Sequence, residues 1–496
     1  MRTSRKQTST ARAKTSSKTH SKTSSKQAKR AQKPQKRHAQ SVHEPKAQRD
    51  RAGPGRPIRV GLLGLGTVGR GVADILSEHG DLIGERSGVQ LQLVRAFVRR
   101  PRRKRQGAAA NVACTTQASK VVEADDVDVV CELLGGEEPA LELVQRALAA
   151  GKPVVTANKA IIAAHGRTLV RHAAAAGVDL HFEAAVAGGV PIIRTLREGL
   201  ASDRITEVAG ILNGTTNYIL GCMEQGQSYA DALAAAQRMG YAEADPSRDV
   251  NGQDAADKLA ILIGLAYGTS VAPEKLPTEG IATLTPEVLA DARELGYRVK
   301  LLALARRQTA VDADEQSNSN IDARVHPVFI PTRHPLSTVP EAQNSIRVSS
   351  DALGNTLYQG PGAGGLPTGS AVVADLIAAA KNLRAGIAAS AGIWTGRGSP
   401  KLLRPQDAMS GFYVRLVVAD EPGVLAHITK IFARHHVSLA TVLQREQGIH
   451  AQQPVAVVLC THPTTFGAVE KALRAIRKLA ALREEVHVIP IEDTGA

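Results

Sequence analysis

At 496 residues with 43% hydrophobic content, the chain is long enough for two to four domains, each with a core of its own. No stretch offers the eighteen or more uncharged apolar residues of a membrane span and no apolar leader opens the chain, so the expected compartment is the cytoplasm, with no membrane partner. Cys114, Cys131, Cys222 and Cys460 stand far apart without ligand or paired spacing, which points to reduced thiols rather than disulfides or zinc.

The net charge of +15 suggests a nucleic-acid partner until it is located. Residues 1–56 carry 17 basic residues against Glu44 and Asp50, the whole of the excess, and the remaining 440 residues are formally neutral. Residues 1–57, rich in Lys, Ser and Thr with almost no large apolar side chain, are expected to be a disordered basic tail. Three readings of the tail stay open: a solvated extension, a loose contact with polyanions, or a transit peptide lacking its apolar face.

Past Gly53-Pro54-Gly55 the pattern alternates apolar runs with helical periodicity, which predicts βαβ units on a parallel sheet. Strands are expected at 58–63, 91–97, 128–133, 153–155 and 179–183, with helices at 67–78, 138–150 and 160–176. A mixed region follows to about 350, interrupted by a polar surface loop at 312–320. A glycine-rich stretch at 360–369 and an apolar helix from 370 to about 387 come next. A Gly/Pro-containing linker at 396–405 then leads to a βαββαβ pattern over 411–493.

Between the first strand and the first helix the chain reads Gly64-Leu-Gly66-Thr67-Val68-Gly69. Gly64 is suited to the tight turn, Gly66 to close approach of a pyrophosphate, and Gly69 to helix–strand packing, with Thr67 and Val68 opening the helix whose N–H groups face the phosphates. A purely structural glycine turn would read the same. Where an acid would hold a ribose 2′-hydroxyl, the second strand ends in Arg99 and Arg100 followed by four more basic residues within 102–105. Guanidinium groups suit a 2′-phosphate, which favours NADP(H); a solvated basic loop, or use of NAD(H) as well, stays open.

The densest group of acids and bases is Gly240-Tyr-Ala-Glu243-Ala-Asp245-Pro-Ser-Arg-Asp249-Val-Asn-Gly-Gln-Asp254-Ala-Ala-Asp257-Lys258. A helix from about 251 puts Asp254 and Lys258 on one face, which taken alone describes a surface ion pair equally well. The whole stretch, however, resembles the signature of the homoserine dehydrogenase family. It is accompanied in order by Glu132-Leu-Leu-Gly-Gly-Glu-Glu-Pro, Thr156-Ala-Asn-Lys159, Phe182-Glu183-Ala-Ala-Val186-Ala-Gly188-Gly-Val190-Pro, Leu212-Asn-Gly-Thr-Thr-Asn217 and Gly360-Pro-Gly362-Ala-Gly364. Any one of these could be an ordinary turn; their order over residues 58–390 carries the resemblance.

The resemblance implies a Rossmann-like doubly wound nucleotide-binding domain over 58–185, completed by about 360–395, and an α+β catalytic and dimerisation domain over 186–359. It implies the reversible NAD(P)H-dependent reduction of L-aspartate 4-semialdehyde to L-homoserine, on the route to threonine and methionine, by a homo-oligomer. Lys258 matches the family's proton-donating lysine and Lys159 a second lysine near the reacting oxygen and the nicotinamide. Glu243 and Asp254 match acids that bind the substrate's amino end, with Asp249 in support. Gly240 and Glu243 lie beside the cofactor, and Gly362 and Gly364 match a loop returning to the nicotinamide. Glu183, Val186, Gly188 and Val190 match a structural sodium site, although a turn with a capping glutamate would look alike. No kinase-like segment precedes the dehydrogenase pattern, and none of the cysteines has the neighbouring base that a thiohemiacetal mechanism needs. Another amino-acid dehydrogenase on the same scaffold, or an idle amino-acid sensor, are the competing readings.

The start of the C-terminal pattern, Asp420-Glu-Pro422-Gly423-Val-Leu425, resembles an ACT domain. Pro422 and Gly423 set a turn whose helix N-terminus offers N–H groups to a carboxylate. The resemblance implies an amino-acid effector, threonine being the pathway's end product; a dimerisation module without a ligand is the alternative.

Overall fold

The computed structural model describes residues 55–308, 320–387, 401–444 and 454–493. Nearly all of the expected tail, loop residues 312–319 and linker residues 396–400 lie outside the described residues.

The first sheet has six parallel strands in the order β3-β2-β1-β4-β5-β6. They are β1 Ile58–Leu63, β2 Leu91–Phe97, β3 Cys114–Thr115, β4 Val129–Glu132, β5 Val154–Thr156 and β6 Leu180–His181. Strands β1 and β4 are apolar on both faces because helices cover both, and the order reverses between them, at the switch point where such sheets bind nucleotides. Helix α1 (Thr67–Glu78) buries Val72 and Ala73 against the sheet. Helix α2 (Gly80–Ser87), which has no apolar periodicity and buries no residue, was not anticipated; it is closed by left-handed Gly88 at φ +72°. Helices α3 (Ala140–Ala149) and α4 (Lys159–Ala176) follow β4 and β5.

The second sheet runs β11-β10-β7-β8-β9-β16-β12-β14-β13. Its first part consists of β7 Ile205–Ile211, the long hairpin β8 Tyr297–Gln308 and β9 Asn320–Pro331, and the hairpin β10 Gln343–Ser350 and β11 Gly354–Pro361. Asn320, expected in the loop, opens β9. Helices α5 (Gly214–Glu224), α6 (Tyr229–Arg238), α7 (Gln253–Tyr267) and α8 (Pro286–Glu294) accompany it. In α7 every residue from Leu259 to Gly264 is buried, as an apolar helix between the sheet and α4 requires.

The chain then returns to the first sheet through α9 (Gly365–Ala385), which begins five residues before the expected 370. A Cβ on Gly71 of α1 would stand 2.1 Å from the carbonyl oxygen of Gly365, and one on Gly369 would stand 2.9 Å from the Gly71 carbonyl carbon. Backbone therefore meets backbone where α1 and α9 cross.

The C-terminal module is βαββαβ as expected: β12 Met409–Val418, α10 Val424–Arg434, β13 Leu439–Gln444, β14 Val455–Thr461, the short β15 Thr464–Thr465, α11 Phe466–Ile476 and β16 His487–Ile491. It is not held by a linker alone. Ile491 of β16 pairs in parallel with Phe329 of β9, and Glu492 N–H donates to the Phe329 carbonyl at 3.0 Å. Residues 401–403, read as linker, bond to Ile321 in β9 on both sides of its peptide. The buried Glu492 carboxylate accepts from Arg324 at 2.5 Å, Ser410 at 2.7 Å and Arg306 at 3.2 Å. Arg306 also reaches Glu207 of β7 at 2.5 Å, and Arg347 of β10 reaches the other Glu207 oxygen at 3.1 Å. Asp291 of α8 accepts from Tyr413 at 2.6 Å and Arg415 at 2.8 Å, both on β12. Groups of this kind are costly to bury and costlier to leave half-paired, so the module and the rest of the second sheet depend on one shared network of buried charge.

Candidate active site

Because the first sheet is parallel, the C-terminal ends of β1, β4 and β5 share one edge, and each is followed by functional residues. After β1, Gly64 has φ +107°, and a Cβ there would lie 2.8 Å from the Leu133 carbonyl oxygen; one on Gly69 would lie 2.6 Å from the Gly64 carbonyl oxygen. Gly66 is exposed and a Cβ on it would meet nothing within 4 Å. Helix α1 has neither a side-chain cap nor an acid in its first turn. The N–H groups at Gly66, Thr67 and Val68 are thus disposed to receive an anionic diphosphate, the fit a dinucleotide needs. Past the end of β2, Arg99 and Arg100 are exposed, and the Arg105 guanidinium folds the loop by donating to the carbonyls of Arg100, Pro101 and Arg103.

After β4 and β5 a buried hydrogen-bond chain sets the position of Lys159. Glu132 accepts from Thr156 Oγ1 at 2.6 Å and Leu134 N–H at 2.7 Å; Asn158 donates to the Gly136 carbonyl at 2.6 Å and caps α4 by accepting from Ala160 N–H at 3.1 Å. Lys159 is the first residue of that capped helix.

The second sheet supplies the other half of the site. Lys258 of α7 donates to Asp254 Oδ2 at 2.8 Å and to the Leu212 carbonyl at 2.6 Å, while Lys159 contacts Asp254 Oδ1 at 3.1 Å. Two lysines from different domains thus share one buried carboxylate. Burial opposes ionisation of Asp254, but Lys258 and Lys159 overcome it and hold the acid well below the carboxylate range. Burial likewise works against the Lys159 ammonium, yet Asp254 wins and raises it. Asp249 is half-buried and pushed up by burial, and it accepts from Asn213 Nδ2 at 2.8 Å.

Glu243 is exposed on the loop after Gly240, which has φ +76°; its carbonyl accepts from Gln237 at 3.2 Å, and among the described residues no hydrogen bond ties its carboxylate to the lysines. The structure therefore gathers Lys159, Lys258, Asp249 and Asp254, and leaves Glu243 at the rim. Sequence reasoning missed Asn213, Glu132 and the Leu212 carbonyl as members of the site. All three stand inside quoted motifs, where an Asx turn, a buried strand end and a backbone carbonyl gave no separate signal.

The Glu183 carboxylate accepts from Ile193 N–H at 2.8 Å and Arg194 N–H at 2.7 Å. Burial, with Asp375 nearby, pushes it up to about 7. The bend that follows has positive φ at Ala187 and Gly188. A buried carboxylate beside a strained carbonyl-rich turn fits a hard monovalent cation, since each oxygen keeps a lone pair. The same bend supports the glycine loop: a Cβ on Gly188 would fall 2.6 Å from the Gly362 carbonyl oxygen, and one on Gly362 would fall 1.6 Å from Asn344 Oδ1. Gly364, at φ +116°, opens α9. In the C-terminal module Gly423 takes φ +94° and opens α10 without a side-chain cap.

A nucleotide turn at the switch point, facing lysines that can supply a proton, defines a nicotinamide-dependent dehydrogenase. Comparison with known proteins makes this specific. The family pattern of the homoserine dehydrogenase NAD binding domain matches residues 64–183, that of homoserine dehydrogenase residues 191–377, and that of the ACT domain residues 412–481. Homoserine dehydrogenase of Bacillus subtilis is 38% identical over 442 residues, covering 89% of this chain and 99% of that protein. The crystal structure of a homoserine dehydrogenase from Thiobacillus denitrificans superposes with a TM-score of 0.81 at 43% identity, over 89% of this chain and 99% of that one. A hyperthermophilic archaeal homoserine dehydrogenase in complex with NADPH matches 66% of this chain and 98% of its own, at 27% identity and a TM-score of 0.55. The chain belongs to the homoserine dehydrogenase family, NAD(P)-dependent oxidoreductases that interconvert L-aspartate 4-semialdehyde and L-homoserine, and it carries an ACT domain.

Proposed function

We propose that Lys258 is the proton donor in this reaction, that Lys159 assists it, and that NADPH is the preferred reductant. The observation that carries the reading is the Asp254 carboxylate held between Lys159 and Lys258. When bound, the nicotinamide supplies the hydride. Lys258, oriented by Asp254 and the Leu212 carbonyl, gives its proton to the alkoxide oxygen; in the oxidation direction its amine receives the hydroxyl proton. Lys159 adds positive charge at the same oxygen and faces the nicotinamide. Asp249 and Glu243, with Asp254, provide the negative field for the substrate's α-ammonium. Gly64, Gly66, Thr67, Val68 and Gly69 would take the diphosphate, while Gly240 and Glu243 would lie beside the cofactor and Gly362 and Gly364 on its nicotinamide side. Arg99 and Arg100, exposed where an NAD-selective acid would stand, support the preference for a 2′-phosphate.

Glu183 with the carbonyls of Val186, Gly188 and Val190 holds a structural sodium ion. The ACT domain binds threonine as a feedback inhibitor, and the enzyme works in the cytoplasm as a homo-oligomer, a dimer or a tetramer. Absorbance at 340 nm, followed while purified protein oxidises L-homoserine with NADP⁺ or NAD⁺ and with or without threonine, tests the reading. Faster turnover with NADP⁺, slowed by threonine, is expected; equal rates with both nucleotides and no threonine effect would overturn the cofactor and effector assignments.

A further inference from the structure

We propose that Asn213 is a positioning residue: its side-chain amide holds the Asp249 and Asp254 carboxylates apart and keeps both turned toward the lysine pair. The inference rests on the reading of that pair as the reacting site.

Asn213 is buried at the step from β7 into α5, and its amide is fully used. One amide nitrogen donates to Asp249 Oδ1 at 2.8 Å and to Asp254 Oδ2 at 2.9 Å. The oxygen accepts from Thr216 N–H at 2.8 Å, capping α5. That cap sets the orientation, because a flipped amide would press its NH2 against a backbone N–H. The backbone on either side is closely held: a Cβ on Gly214 would stand 2.3 Å from the Ala342 carbonyl oxygen, and the Leu212 carbonyl accepts from Lys258.

Two carboxylates near one another ordinarily resist joint ionisation. The charged groups facing this pair are Lys258 from α7 and Lys159 from α4. Asp257, also on α7, is neutralised by Arg248 of the Ser247–Val250 turn at 2.6 Å. Lys258 and Lys159 both contact Asp254, and neither is within ion-pair distance of Asp249. Asp249 therefore depends on a neutral donor that reaches both acids at once. Asn213 provides it from an element that also fixes Lys258, so acid, acid and base are set by a single backbone step.

Asn213→Asp isolates this role, since aspartate caps a helix as well as asparagine does but cannot donate and adds a third carboxylate. In that variant the acid limb of the kcat/KM profile for homoserine oxidation should move up by roughly one pH unit or more, with at least a roughly tenfold loss at neutral pH that shrinks on the alkaline side. NADPH binding, read by fluorescence, should stay at the wild-type level. Asn213→Ser keeps the cap, removes the double donor and adds no charge; it should raise KM for homoserine more than it lowers kcat. Wild-type pH profile and kcat/KM in the aspartate variant would overturn the inference. Should that variant not fold, a serine variant with wild-type KM would do the same. Wild-type protein that fails to oxidise homoserine with either nucleotide would instead overturn the underlying reading.

Discussion

Glu492→Ala tests whether the C-terminal module is welded to the catalytic sheet or merely rests on it. The wild-type carboxylate takes hydrogen bonds from Arg324, Arg306 and Ser410 in a buried position. After truncation Arg324 keeps Asp322, at 3.4 Å, and the Ser410 hydroxyl, at 2.9 Å, and Arg306 keeps Glu207, at 2.5 Å. Removing one partner of a buried ion pair costs about 3–5 kcal/mol, and because each guanidinium retains one acid the lower end applies, about 3 kcal/mol. For a protein of this size that is a fall in melting midpoint of about 3 °C. Burial raises Glu492 but Arg324 and Arg306 outweigh it, leaving the acid below its ordinary value of 4.5. A depressed carboxylate contributes stability above that value and loses it as pH falls through the depressed one, so the gap between variant and wild type should close under strong acid. Thermal melts at pH 7.5 and at successively lower pH measure both effects. The double variant Arg324→Met/Glu492→Leu should melt closer to wild type than Glu492→Ala, because an apolar pair strands less charge. A single variant melting within about 1 °C of wild type would refute the weld.

Lys258→Ala should lower kcat by roughly 10²–10⁴ while leaving NADPH affinity nearly unchanged, measured by steady-state kinetics and fluorescence titration; full turnover would remove the lysine from the chemistry. Gly71→Ala would drive a methyl group into the Gly365 carbonyl, so a loss of about 1–3 kcal/mol and weakened NADPH binding are expected in melts and titration. Burial, helped by Arg324, pushes His326 down to about 4. The unfolded chain then binds the extra proton between pH 6.5 and 4, so stability rises with pH across that window and acidification through it costs up to about 3 kcal/mol. His326→Gln should flatten that part of the stability profile; an unchanged slope would show that the histidine titrates normally.

The first domain was legible because its signals are local. Gly64 answers to a positive-φ turn and Gly69 to the Gly64 carbonyl five residues back, and the strand runs at 58–63 and 91–97 coincide with β1 and β2. Lys258 and Asp254 were legible as a helical pair, and the second lysine through its motif. What escaped depends on distance along the chain. Asn213 meets Asp254 across 41 residues and Glu492 meets Arg324 across 168, and no periodicity records such partners. The βαββαβ pattern likewise revealed a module but not that its last strand lies beside β9, because edge pairing depends on backbone groups common to every residue.

That last strand sets a schedule. Phe329 precedes Ile491 by 162 residues, so a ribosome adding about 5–20 residues per second needs roughly ten to thirty seconds to deliver the neighbour of β9. Until then Arg306 and Arg324 wait in a sheet whose acid partner has not been made. A nascent chain halted between Pro331 and Glu492 therefore carries an open strand edge and two arginines each short of one acid partner. The C-terminal module is thus the last part to close this sheet, and an interrupted product would present chaperones or proteases with the edge it leaves open.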